Sequence, residues 1–242
     1  MISDRAIRRA ADRFRLAPEP ELLRAGGKLQ VLLDASLSMT SGDGSKEERL
    51  RELALLFLML GSAAGTASEV WCLRGGERNR LVTQDAPHRL TLVPLDGIDP
   101  IFPLPDDVLV TDPVSVRVVL SDFLFRVDPD QLVRQASAGT AALWLIQLLD
   151  DWEQHPTPNG LTVLSDVETD EKLELLLDSD VVQSYERGLG DLQRSYAEAA
   201  LAAGAHWVAA VSSSTLEAVC LDPLVVNGLL VVEGGWSDEH HT

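Results

Sequence analysis

Asp34, Ser36 and Ser38 stand at alternate positions just after the apolar run Val31–Leu33, inside "VLLDASLSMTSGDG" (residues 31–44). A second acid, Asp122, follows Ser121 at the end of another apolar run, "VRVVL" (residues 116–120). Carboxylate and hydroxyl oxygens of this kind suit Mg2+ or Mn2+, hard ions that prefer octahedral oxygen ligation. Without a cation, two carboxylates a few ångströms apart repel, and one tends to take up a proton. A plainer chemistry uses the same residues: a strand end and a polar turn that opens a helix.

Binding residues of open α/β sheets gather at the carboxyl ends of strands, so the elements around these acids matter. "KLQVLLD" (28–34) reads as a buried strand, short, apolar and β-rich. Ser45 is placed to cap the next helix, with Glu48 three residues on as in a capping box. That helix carries "LALLFLML" (53–60), is expected to be buried on most sides, and ends near Gly61. "SEVWCLRGGERNRLVT" (68–83) has two strand-like halves around "RGGER" and predicts a hairpin. Five prolines and Gly97 between Pro94 and Pro113 argue against a regular helix and for a long surface loop. Val116–Leu120 is a buried strand, Pro129 to Ala138 a helix, and Ala141–Asp150 a third buried strand. Residues 160–178 form a second hairpin turning at 168–171. Val181, Tyr185, Leu189, Leu192 and Tyr196 recur at helical spacing over 180–203, and Gly204 ends that helix. "HWVAAVS" (206–212) is a last strand and "TLEAVCL" (215–221) a short helix. Alternating strands and helices predict a mostly parallel sheet covered on both faces.

The chain has 242 residues, enough for one α/β domain, with 38 acidic and 20 basic side chains, a net charge of −18. That balance argues against a nucleic-acid partner. Residues 1–28 differ, with seven Lys/Arg against four Asp/Glu, leaving −21 on the remainder. Arg5, Arg8, Arg9, Arg13 and Arg15 fall there, and Ile7, Ala11 and Phe14 share one helical face. Such a helix either lies solvated on the surface or docks on an acidic surface, including one of this same molecule. Cys72 and Cys220 are the two cysteines, both in apolar surroundings, which predicts reduced core residues and a cytoplasmic protein. No apolar run reaches the ~18–20 residues of a membrane span, and no signal peptide is evident. His88, His155 and His206 show no ligand spacing, and His240 and His241 lie in a polar tail. "GLG" (188–190) lies inside a helical pattern and lacks the strand context of a phosphate loop. Trp144 and Trp207 fall in strand patterns and are expected in the core. With no paired general acid and no His base beside a nucleophile, the reading is of a non-enzyme.

"DASLSM" (34–39) resembles the D-x-S-x-S signature of von Willebrand factor A domains, the metal-ion-dependent adhesion site (MIDAS). More closely, Ser121-Asp122-Phe123, Leu148–Glu153 ("LLDDWE"), Gly160–Glu168, Tyr185 and Ala203–Val208 ("AGAHWV"), taken in order, resemble the bacterial DUF58 family over residues 28 to 220. The resemblance implies a Rossmann-like von Willebrand A fold with a divalent-metal site. By that analogy Asp34, Ser36 and Ser38 are first-loop ligands and Asp122 the third-loop aspartate, holding Mg2+ or Mn2+, with an open position for a partner's Asp or Glu. It further implies a protein-binding module acting with a MoxR-type AAA+ ATPase in assembly or maturation of other proteins. The division expected is a basic helical segment over 1–28, the von Willebrand A-like domain over 29–222 and an extension over 223–242. Two features depart from the family. The "GGT" segment that supplies the second-loop threonine is missing, leaving Thr91, Thr111, Asp96 or Asp99 as the nearby oxygens. The membrane helices and "R.Y..GD" stretch of many relatives are missing too. Two other readings stay open: a Mg2+-dependent hydrolase or phosphotransferase using Asp34, and a metal-free scaffold of the same fold.

Overall fold

The computed structural model describes residues 2–17, 27–75, 79–98, 101–109, 114–165 and 172–233. Helix α1 (Asp4–Arg13) starts at Ser3, whose hydroxyl caps the Ala6 amide at 3.3 Å. It runs into β1 (Phe14–Leu16). The central sheet starts with β2 (Lys28–Asp34), followed by helix α2 (Ser45–Ala63), β3 (Ala67–Leu73) and β4 (Arg80–Thr83). A short helix α3 (Asp106–Leu109) leads to β5 (Val114–Ser121), α4 (Pro129–Ser137), β6 (Thr140–Leu149) and one helical turn α5 (Asp151–Gln154). Hairpin strands β7 (Gly160–Ser165) and β8 (Lys172–Leu177), helix α6 (Ser179–Ala202) and β9 (His206–Val211) follow. The last elements are α7 (Leu216–Val219), a wider π-type turn (Cys220–Val225) and β10 (Leu230–Val232).

Six strands form one sheet in the order β4-β3-β2-β5-β6-β9. All neighbours are parallel except the β3–β4 hairpin at the edge. Counted within the sheet this is 3-2-1-4-5-6, the doubly wound order whose switch point falls between the first and fourth strands. The architecture is therefore the expected mostly parallel, Rossmann-like α/β sheet with helices on both faces, consistent with the von Willebrand A type. The pleat sends alternate residues to opposite faces. Val31, Leu33, Val118, Leu120 and Ile146 pack with α1, α2 and α7 on one face. Leu32, Val119, Leu143 and Leu145 pack with α4 and α6 on the other. Both faces being covered explains why these strands read as unbroken apolar runs.

Helix α2 is buried along most of its circumference, with Leu50, Leu53, Leu56, Phe57, Leu58 and Leu60 at 2 % exposure or less. Each such side chain contributes about 1.5–3 kcal/mol of burial free energy. Its start differs from the expectation. Gly44, not Ser45, holds the N-cap position, in a left-handed conformation (φ 84°) that favours glycine. The Asp43 carboxylate accepts the Ser45 amide at 2.9 Å, taking over the capping role.

The described part of the proline-rich segment is only partly a surface loop, with Pro94, Asp96 and Ile98 exposed. Ile101, Phe102, Leu104 and Val108 are buried and extend the apolar layer on the α4/α6 face. Prolines blocked a long helix, but the apolar residues between them still had a sheet face to cover.

The basic N-terminal helix docks on its own molecule. Ile7, Ala10, Ala11 and Phe14 join the same apolar cluster as α2, and β1 pairs antiparallel with β10, Phe14 opposite Val232. Arg13 pairs with Glu217 and Arg15 with Glu233. Among the described residues, 1–28 contribute only Lys28, the first residue of β2, to the central sheet, and the two-stranded β1–β10 sheet sits beside it. Cys72 and Cys220 are buried free thiols, each pushed up to about 12, chiefly by burial. Trp144 is buried, and Trp207 stacks on Tyr196 at 4.7 Å.

Candidate functional site: the acid–hydroxyl edge

Strands β2 and β5 are adjacent and parallel, so their carboxyl ends open on the same edge of the sheet. Asp34 ends β2 and is 1 % exposed. Its Oδ2 accepts the Ser121 hydroxyl from the end of β5 at 2.6 Å, and its Oδ1 accepts the Ser36 amide at 2.9 Å. The Ser36 and Ser38 hydroxyls share a hydrogen bond of 2.9 Å. Asp122, 2 % exposed, is close enough for its charge to be felt at Asp34. All four predicted residues, Asp34, Ser36, Ser38 and Asp122, therefore meet at one edge. Burial first and Asp122 second hold the Asp34 carboxyl up at about 6, against the lowering pull of its hydrogen bonds from Ser121 and Ser36.

Asp122 is fixed from several sides. Its carboxylate accepts the Leu124 amide at 3.1 Å through Oδ1, and its carbonyl accepts the Gln147 side-chain amide at 2.8 Å. Gln193 of α6 donates in turn to Gln147 at 2.8 Å. Phe123 takes a left-handed φ of 54°, uncommon for a bulky residue and costly unless its surroundings impose it. Those surroundings are Tyr196 and Trp207, with ring centroids 5.2 and 5.1 Å away, and a 3.0 Å bond from the Phe123 amide to the Ser121 hydroxyl oxygen. The strained turn aims Asp122 back at the edge while Phe123 drops into the core.

Beside Ser36 the neighbouring loop offers backbone. Gly97 bridges Ser36 in parallel fashion: its amide donates to the Ala35 carbonyl at 3.0 Å and its carbonyl accepts the Leu37 amide at 2.8 Å. A β-carbon on Gly97 would lie 2.9 Å from the Arg74 carbonyl oxygen, so only glycine fits. Asp96 accepts from Arg74 at 2.7 Å, and the Thr91 hydroxyl donates to the His88 carbonyl at 2.8 Å. Asp99 and Thr111 lie outside the described residues, as do Glu168, His240 and His241.

One residue of the site went unread in the sequence. Lys46, in the first turn of α2, is fully buried. Its ammonium donates to Asp122 Oδ2 at 3.2 Å and to Glu153 Oε1 at 2.5 Å. Burial would lower its pKa, but the two acids win and raise it. Glu153 is held by a reciprocal capping box with Asp150, its amide donating to Asp150 at 2.7 Å and its carboxylate accepting the Asp150 amide at 2.9 Å. The signal for Lys46 was its spacing: it precedes Leu50 by four residues and Leu53 by seven, on the buried stripe of the helix.

These contacts bear on a divalent ion. Both oxygens of Asp34 and both of Asp122 already accept bonds from the chain, and the Ser36 and Ser38 hydroxyls bond each other. Among the described residues no three His, Cys, Asp or Glu side chains are grouped to hold a metal. A doubly charged ion here would also face a buried ammonium across Asp122. As the chain bonds them, these donors are satisfied from within and lie beside a resident ammonium, without calling on Mg2+ or Mn2+.

Strand order and edge together define a Rossmann-like, mostly parallel α/β domain with an acid–hydroxyl edge, consistent with the von Willebrand A type. No protein-family model matches the chain, and no curated protein matches it. Among solved structures it is similar to BatB, a conserved hypothetical protein from Bacteroides thetaiotaomicron, at 13 % identity and a TM-score of 0.43, over 80 % of this chain and 95 % of that one. It is also similar to an aerotolerance-related membrane protein from Bacteroides fragilis, in a form with multiple mutations to serine, at 14 % identity and a TM-score of 0.44, over 80 % of this chain and 96 % of that one. No helix among the described residues is long and apolar enough to cross a membrane.

Proposed function

We propose that the chain is a non-enzymatic protein-binding module whose docking edge is the carboxyl end of β2 and β5, and that it acts with a MoxR-type AAA+ ATPase in assembly or maturation of other proteins. The observation that carries this reading is the meeting of Asp34, Ser36, Ser38, Ser121 and Asp122 at the switch point of the sheet, where α/β folds bind. The bonded neighbours of Asp34 are two serines, neither of which is a general base, and this favours binding over hydrolysis. The metal-free form of the module suits the donor set better than the Mg2+-dependent form. The test is calorimetry of the purified chain against a purified MoxR-type ATPase. Wild type should bind, and Ser38→Arg, which places a bulky cation on the half-buried rim, should not. Absence of binding by wild type, or equal binding by the variant, overturns the reading.

A further inference from the structure

We propose that Lys46 is the resident cation of this edge: its ammonium, clamped between Asp122 and Glu153, supplies the positive charge that a divalent ion would otherwise bring, so the site is built to work without metal. The inference deepens the function proposed above and shares with it only the location of the edge.

Three features make this arrangement unlike a chance surface pair. The first is position. A cation in the first turn of a helix faces the positive end of the helix dipole, an unfavourable place unless acids offset it. The second is burial. Lys46 is fully buried, and a desolvated ammonium persists only when paired and hydrogen-bonded. The third is convergence. The two acids come from the ends of neighbouring strands, Asp122 after β5 and Glu153 after β6, and each is independently fixed. Asp122 is held by Leu124 and Gln147, and Glu153 by Asp150. The Tyr185 hydroxyl of α6 adds a 2.5 Å bond to the Glu153 carbonyl. Lys46 thus ties α2, β5, β6 and α6 at the same edge where Asp34 is satisfied separately by Ser121 and Ser36. Each acid of the cluster already has a partner within the chain.

Titration of the full chain with Mn2+ alone, read by calorimetry and by thermal unfolding, tests the inference. Wild type is expected to give no binding heat and no rise in Tm at millimolar Mn2+. Lys46→Gln removes the charge and leaves Asp122 and Glu153 uncompensated, so it is expected to gain Mn2+ affinity by at least about tenfold, with a Tm that rises with the ion. Should that variant fail to fold, Lys46→Met combined with Glu153→Gln removes one charge of each sign, and the Asp122 and Asp34 carboxylates it leaves should show the same gain. Wild type binding one Mn2+ in the millimolar range, with loss on Asp34→Ala, overturns the inference. So does a variant lacking Lys46 that binds Mn2+ no better than wild type. The two proposals fail separately. Metal binding by wild type leaves the docking edge standing, and an ATPase indifferent to Ser38→Arg leaves the Lys46 result standing.

Discussion

Replacing Asp34 by asparagine should stabilise the protein at neutral pH and do so in a pH-dependent way. The folded carboxyl titrates near 6 against an ordinary value of 3.8, because burial and the Asp122 charge outweigh two hydrogen bonds. A raised folded pKa means that the native state holds the proton more tightly than the unfolded chain. The stabilising contribution is therefore complete below the unfolded value, erodes as pH rises from there, and is lost above the folded value. A gap of two units corresponds to about 3 kcal/mol carried as a cost once Asp34 is ionised. An asparagine side chain would keep the shape and the acceptor for the Ser36 amide. Its own amide would turn the Ser121 hydroxyl from donor to acceptor, at about 1 kcal/mol for the rearranged bond. The net expectation is a gain of about 2 kcal/mol at about pH 8 that vanishes or reverses near about pH 4. Urea unfolding of both proteins across that range is the assay, and the difference between them removes the pH response common to the whole acidic chain. A difference that stays flat with pH, or an asparagine variant less stable at the upper end, would refute the account of Asp34.

Three further expectations can be measured directly. Arg117, fully buried, donates to Gln30 at 2.6 Å and to the carbonyls of Ala136 and Ala138 at 2.5 and 2.8 Å, so Arg117→Met should cost about 3 kcal/mol in urea unfolding; a loss below about 1 kcal/mol would show those acceptors satisfied otherwise. Phe14→Ala should cost about 3–5 kcal/mol, since its ring is fully buried in the cluster that joins α2 to the C-terminal elements, and an unchanged midpoint would detach β1 from the core. Generic phosphoesters and nucleotides supplied with Mg2+ or Mn2+ should show no turnover; activity abolished by Asp34→Asn would make the chain a hydrolase after all.

Periodicity carried the sheet strands of the fold, because a strand covered on both faces has few ways to be written other than Val, Leu and Ile in a short run. The convergence of Asp34 and Asp122 was legible for the same reason: once two buried strands end in acids, adjacency is the one further condition. Lys46 was not read because a lysine among Glu47, Glu48 and Arg49 looks like a solvated first turn, and its burial depends on Glu153, which is distant in sequence. Phe123 could not be anticipated, since its left-handed turn is imposed by Tyr196 and Trp207 packing from elsewhere. The buried part of the proline-rich segment is not legible in the sequence, because proline content reports on backbone hydrogen bonding and says little about what Ile101, Phe102 and Val108 cover. Arg117 inside "VRVVL" is an example of a charge that the apolar pattern hid, its partners lying on β2 and at the end of α4.

The pairing of β1 with β10 has a consequence for the order in which the chain can reach its final form. The partners of Arg13 and β1, Glu217 on α7 and the strand Leu230–Val232, lie at the other end of the described residues, so these contacts wait until the chain between them has been made. The apolar stripe of Ile7, Ala10 and Phe14 can pack on α2 early, but the side that meets α7 and β10 stays open until those elements are made. Contacts of such long separation carry the largest loop-closure cost and form late. A chain cut short before residue 216 keeps the contact of α1 with α2 but loses Leu216, Glu217 and β10, which leaves that side of the helix open to solvent for chaperones and proteases to find.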